Sequence, residues 1–341
     1  MRVPTASPTI RPFREEDEAG VLELLTAALG PGPLGHRSPA FFRWKHRIGP
    51  FGPSLMRVAE AEGRIVGLRA FMRWRLRGAA RTLAAVRAVD TATDPDYQRT
   101  GVFSALTTGA LEDLEEDVAL AFNTPNRRSL PGYLKLGWQV AGTVPVSIRV
   151  RRPIRFARGL ASLNAGDPPP EPPPAARVPT AADVLADRDA ISLLLAEAEA
   201  PRQRLATPRD PEYLVWRYAS VPELDYRAVV EERGGRLCGL AIFRVRRRGP
   251  LWESTVAELI VRPGDRGVAG RLLVGVTRAA ACDHVICAFP AGSAPARAAP
   301  RSGFLSTRRG VTLAVKPLRR TDPGPGRLSS WALSLGDLEL L

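Results

Sequence analysis

At 341 residues, with 45% apolar and 25% charged side chains, the chain is too long for one small core and too apolar for disorder, so two domains of about 150 residues each are expected. The formal charge of +14 is almost all arginine, since Lys45, Lys135 and Lys316 are the only lysines among 49 basic residues. The arginines are scattered without a long basic run, which disfavours a nucleic-acid or membrane surface yet leaves a field that favours an anionic ligand.

Three cysteines, Cys238, Cys282 and Cys287, lie in apolar segments, so a disulfide framework is not expected and a reducing, cytoplasmic setting is. His284 falls between two of them on one short strand, whose residues alternate faces, so no metal site is expected. The first twenty residues lack an apolar signal core, and no apolar stretch is long enough to span a bilayer.

In chain order, "TIRPF" (9–13) reads as a strand. "REEDEAGVLELLTAALG" (14–30) follows as a helix with Val21, Leu24, Leu25, Ala28 and Leu29 at helical spacing, acids in its first turn and Gly30 at its end. "SPAFFRWKHR" (38–47) opens with Ser38 as N-cap and Pro39 at the first helical position. Segments 55–76 and 81–93 alternate as an antiparallel meander. From Gly101 a helix buries Val102, Leu106, Ala110 and Leu111, "VALAFNTP" (118–125) is a buried strand, "SLPGYLKLGW" (129–138) is a short helix stopped at Gly137, and 139–152 is strand. The order β, α, α, β, β, β, α, β, α, β is a mixed α/β layer.

Residues 153–178 carry a proline cluster that suits neither a helix interior nor a central ladder, and read as an extended linker. The pattern then restarts with a helix from Thr180. Trp44, Gly67, Leu68 and Phe71 recur 172 places later as Trp216, Gly239, Leu240 and Phe243, and Gly101 and Gly137 recur 166 places later as Gly267 and Gly303. A constant offset through equivalent elements indicates a tandem duplication. The expected organisation is a first domain over 1–152, a linker over 153–178, a second domain over 179–317 and a tail over 318–341.

The stretch "PDYQRTGVFSAL" (95–106) brings helix-tip N–H groups, the Arg99 guanidinium and the Thr100 and Ser104 hydroxyls toward one point, which suits a diphosphate. The bland alternative is a turn ended by Gly101 beside a solvated Arg99.

These residues carry a resemblance. The first half looks like a GNAT N-acyltransferase, the family that moves an acyl group from coenzyme A to an amine. Gln98, Gly101 and Phe103 occupy the family's phosphate loop (Gln or Arg, two residues, Gly, one residue, Gly or Ala), Phe103 being larger than the usual third residue. Asn126, Tyr133, Gly137 and Trp138 match its later signature of Asn, six residues, Tyr, three residues, Gly and an aromatic. The match covers residues 8–152 and implies two tandem GNAT-like α/β folds.

The resemblance further implies acetyl-CoA or another acyl-CoA as cosubstrate, bound by Gln98, Arg99, Thr100, Gly101, Val102, Phe103, Ser104 and Asn126, with the thioester along Thr91, Ala92 and Thr93. Backbone N–H groups near Ala92 and Thr93 would form an oxyanion hole. Tyr133 would protonate the departing thiolate, the alternative being an ordinary core aromatic. Asp90 is the candidate base, or else the ion-pair partner of Arg87 or Arg69. Asp94 and Asp96 are expected to cap or orient the loop.

At the 166-residue offset the second copy has Gly264 for Gln98, Gly292 for Asn126 and Ala299 for Tyr133. Its turn could still admit a phosphate, but its proton donor is gone, and it reads as degenerate. The expected activity is direct acyl transfer to a small-molecule or peptide amine, with acceptor or acyl contacts from residues 30–54, which include His36 and His46, the alternative there being plain loop packing. Two rivals stand beside it, an acyl-CoA-binding sensor and a nucleic-acid-directed acyltransferase or binder.

Overall fold

The computed structural model describes residues 7–30, 32, 36–161, 178–198 and 203–338. The chain runs β1 (Thr9–Pro12), α1 (Glu18–Leu29), α2 (Pro39–His46), β2 (Leu55–Ala61), β3 (Arg64–Arg77), β4 (Thr82–Thr93), α3 (Val102–Glu112), β5 (Val118–Asn123), α4 (Leu130–Lys135) and β6 (Gln139–Val150). It continues through α5 (Pro153–Ala161), α6 (Ala181–Leu185), α7 (Arg188–Ala198), α8 (Pro211–Leu214, extended by a π turn over Val215–Ala219), β7 (Tyr226–Arg233), β8 (Arg236–Arg248) and β9 (Leu251–Val261). Last come α9 (Arg266–Ala279), β10 (His284–Cys287), α10 (Ala294–Ala298), β11 (Leu305–Pro317) and α11 (Leu335–Leu338). This is the mixed α/β class read from the pattern.

Contacts divide the chain into two units, one of residues up to Gly142 with Thr312–Leu328, the other of Thr143–Val311 with Ser329–Leu340. In the first, the strands run β1-β2-β3-β4-β5-β11. All neighbours are antiparallel except β4 and β5, which are parallel because α3 carries the chain back between them. Successive residues of β3 alternate faces. Leu68 and Ala70 pack with Val21, Leu24 and Leu25 of α1 and Phe42 of α2. Gly67, Arg69 and Phe71 look toward α3 and α4, where a Cβ on Gly67 would lie 2.8 Å from both Val102 and Leu106.

The second unit has the order β6-β10-β9-β8-β7, again antiparallel but for one parallel pair, β9 and β10, bridged by α9. Here α9 lies over Gly239, whose Cβ would meet Val268 at 2.4 Å and Leu272 at 2.9 Å. The core gathers Phe243, Val256, Val268, Leu272, Val285 and Cys287.

Two boundaries differ from those expected. Residues 143–150 of β6 belong to the second unit, where His284–Cys287 pair with Val150–Ser147, and Ala314–Pro317 of β11 pair with Asn123–Leu120 in the first. The stretch expected to begin an extended linker starts instead as α5, because Phe156 stacks edge-on against His284 at 5.0 Å and Gly159 sits against Leu251. The proline cluster of that linker, within 168–174, lies outside the described residues. No helix among the described residues is long and apolar enough to cross a membrane.

Candidate active site

The turn before α3 is built for an exposed helix tip. Asp94 accepts from the Asp96 N–H at 2.9 Å, Tyr97 is buried, and the chain then bends through Arg99 (φ +68°) and Gly101 (φ +93°), both left-handed. The first bond of the helix is Ala105 N–H to Gly101 O at 3.0 Å, and no side chain caps the end. Among the described residues, the N–H groups of Val102, Phe103 and Ser104 therefore have no acceptor, the arrangement that binds anions. The Thr100 hydroxyl is turned away to Tyr97 O at 2.6 Å, and the Gln98 amide reaches Thr93 O at 3.4 Å.

Next to this tip the two parallel strands part. Register between β4 and β5 ends at Arg87↔Phe122, whereas β4 continues to Thr93 paired with Gly67 of β3. Alternate backbone groups of 88–93, Thr91 to Thr93 among them, thus face the gap that β5 has left. Peptide-like groups of a ligand could pair there as an added strand does.

Tyr133 of α4 lies beside that gap, 2% exposed, edge-on to Phe103 at 5.4 Å and to Trp138 at 4.8 Å. Its oxygen accepts a 2.7 Å hydrogen bond from Arg69 Nη1, leaving its own O–H to donate. Phe103, the residue that departs from the family loop, walls this cluster. Its ring lies against Gly132, where a Cβ would come within 2.9 Å, and 5.0 Å from the Arg69 guanidinium. Asn126, expected to touch the cofactor, uses its Oδ1 to accept the N–H groups of Arg128 and Ser129, both at 2.9 Å, so its evident work is to shape the turn into α4.

Asp90 and Thr91 are adjacent yet serve opposite faces of the sheet. Thr91 meets Arg69 Nη1 at 2.7 Å, while Asp90, at φ +43° in a β-bulge, turns to α2. There its Oδ2 meets Lys45 Nζ at 2.8 Å and His46 Nε2 at 2.9 Å, and His46 Nδ1 meets the Ser54 hydroxyl at 3.0 Å. The anticipated partners Arg87 and Arg69 are thereby replaced by Lys45 and His46, a pairing that required α2 to be folded over β4. Burial pushes the Asp90 carboxyl up, but Lys45 and His46 outweigh it and hold the group well below the usual carboxylate range. Burial also lowers His46 and Lys45. Of the expected acceptor loop, Phe41 and Trp44 stack at 5.1 Å and His36 is exposed, while residues 31 and 33–35 lie outside the described set.

The corresponding turn of the second unit is capped. Asp265 occupies the position of Arg99 at the 166-residue offset, and its Oδ1 accepts the Val268 N–H at 2.9 Å. The expectation that this turn could admit a phosphate is corrected, because a carboxylate already caps the tip and would repel the ligand.

Residues 9–141 match the family model described as an acetyltransferase (GNAT) domain. Three solved structures resemble it. One is a conserved protein of unknown function from Enterococcus faecalis V583, titled a probable N-acyltransferase, at 14% identity and TM-score 0.61 over 92% of this chain and 73% of that one. The second is a GCN5-related N-acetyltransferase from Anabaena variabilis ATCC 29413, at 13% and 0.62 over 91% and 72%. The third, a GCN5-related N-acetyltransferase from Kribbella flavida, shares 14% at TM-score 0.54 over 92% and 72%. At these identities the likeness is one of fold. No curated protein matches.

Proposed function

We propose that the chain transfers an acetyl or other acyl group from its coenzyme A thioester to the primary amine of a small molecule or peptide. The uncapped tip of α3, opening beside the parted β4 and β5, carries this reading. The residues present suit the cosubstrate. Backbone N–H groups of Val102, Phe103 and Ser104, reinforced by Arg99, would take the diphosphate. The edge of Thr91–Thr93 would align the thioester and offer its N–H groups to the carbonyl oxygen.

Catalysis is then largely a matter of holding amine and thioester together, with Tyr133 giving the proton that sulfur needs as it leaves. Asp90, held charged by Lys45 and His46, is a weak proton acceptor, so its proposed role is to orient the amine from the α2 side. None of the cysteines serves as a nucleophile, since all three are buried and burial pushes Cys282 up to about 11. The second unit is proposed to be a duplicated copy that has lost this chemistry.

The test is mass spectrometry of ligand retained by the purified protein, followed by incubating that thioester with an amine panel and detecting free thiol. Tyr133→Phe should lower kcat by about 10²- to 10⁴-fold with little change in KM for the thioester. Ligand binding without amine-dependent thiol release would favour the sensor reading instead.

A further inference from the structure

Arg69 is fully buried, and its hydrogen-bond partners are all neutral: Thr107 through Nε and Nη2, Thr91 and Tyr133 through Nη1. Three rings surround its guanidinium, with Phe71 at 5.4 Å, Phe103 at 5.0 Å and Tyr133 at 5.1 Å. Among the described residues no carboxylate pairs with it. A buried cation without an anion is costly, so the fold alone gives no reason to keep one.

The second unit supplies the comparison. Gly67 pairs with Thr93 and Gly239 with Val261, which aligns β4 and β9 at an offset of 168. At the matching positions Arg69, Thr91, Thr107 and Tyr133 are answered by Ala241, Leu259, Leu273 and Ala299, and Phe103 by Ala269. All five join one apolar core. The polar cluster is thus retained as a set where the helix tip is open and absent as a set where Asp265 caps the tip.

We infer that Arg69 is a positioning residue for departure of the leaving group, an inference that rests on the acyltransfer reading above. Its N–H occupies the Tyr133 oxygen as a donor and leaves the phenol's own O–H to donate to sulfur, which puts the Arg69 charge beside the oxygen that becomes negative as the proton leaves. In the step it serves, the acceptor nitrogen bonds to the acyl carbon and the carbon–sulfur bond breaks. Sulfur takes the Tyr133 proton to become the thiol, and the proton lost by the amine returns to the phenol oxygen through solvent. While that oxygen is charged, the Arg69 hydrogen bond is at its strongest.

The experiment compares wild type, Arg69→Met, Arg69→Lys, Tyr133→Phe and the Arg69→Met/Tyr133→Phe double variant, with Thr107→Val as a milder perturbation if Arg69→Met fails to fold. Readouts are kcat and KM with acetyl-CoA, and coenzyme A affinity by calorimetry. Arg69→Met should lower kcat by about 10- to 100-fold while KM and affinity move less than about threefold, and Arg69→Lys should recover part of the loss. In the Tyr133→Phe background, Arg69→Met or Thr107→Val should cost little more, because the pair acts as a unit. Losses that multiply, or a change confined to KM, affinity or stability, overturn the inference while leaving acyl transfer intact. Absence of amine-dependent thiol release from wild type overturns both.

Discussion

A carboxylate shared by an ammonium and an imidazole keeps its charge, and this sets how the protein responds to acid. His46 is 1% exposed and lowered by burial, so it is neutral in the fold and gains a proton more readily when unfolded. Its contribution to stability is therefore complete above the unfolded value of about 6.5 and is lost as pH falls below it, at no more than about 1.4 kcal/mol per pH unit. Asp90, also lowered, adds its loss only below the ordinary carboxylate range. Urea midpoints should fall between pH 7 and pH 5, and His46→Gln should flatten that slope; an unchanged slope in the variant would refute the assignment. Motif spacing singled out Gly101 and Tyr133 in the sequence, and Asp90 was proposed from its place on the strand before the loop. Lys45, His46 and Arg69 as their partners were not legible there, because contacts across α2, β3 and β4 leave no local signal.

At the scale of elements, α3 and α9 show how a glycine sets a helix against a strand. Gly67→Ala would push a methyl to 2.8 Å from Val102 and Leu106, and should destabilise the protein by about 1–3 kcal/mol in denaturant melts. Among the differences between the two tips is Arg99 against Asp265. Arg99→Asp should weaken coenzyme A binding at least about tenfold in calorimetry by placing a carboxylate where the diphosphate belongs; unchanged affinity would remove the tip from the binding site. Capping was readable in sequence, as the Ser38 hydroxyl accepting the Phe41 N–H at 3.3 Å illustrates. The helix α5 was missed because prolines downstream suggested extended chain, whereas its helical turns are held by packing on His284 and Leu251.

At the scale of the whole molecule, the strand pairing decides what can fold alone. β5 is paired on its far side by Ala314–Pro317, almost two hundred residues downstream, so a fragment ending at 152 leaves Leu120–Asn123 as a bare edge. That fragment should aggregate or lack cooperative unfolding, and fusing 305–328 to it should restore a sharp transition; a well-folded 1–152 fragment would refute the pairing. The sequence by itself determined the order of elements from β1 to β6, the helix tip at Gly101 and the recurrence of Gly67 as Gly239, because each is written in local spacing and backbone preference. Only the tertiary structure decided that β6 and β11 each serve the other half of the sequence, that Asp90 belongs to α2 and that Arg69 holds Tyr133. Those are pairings between distant segments, settled by burial and hydrogen bonding once the chain has closed.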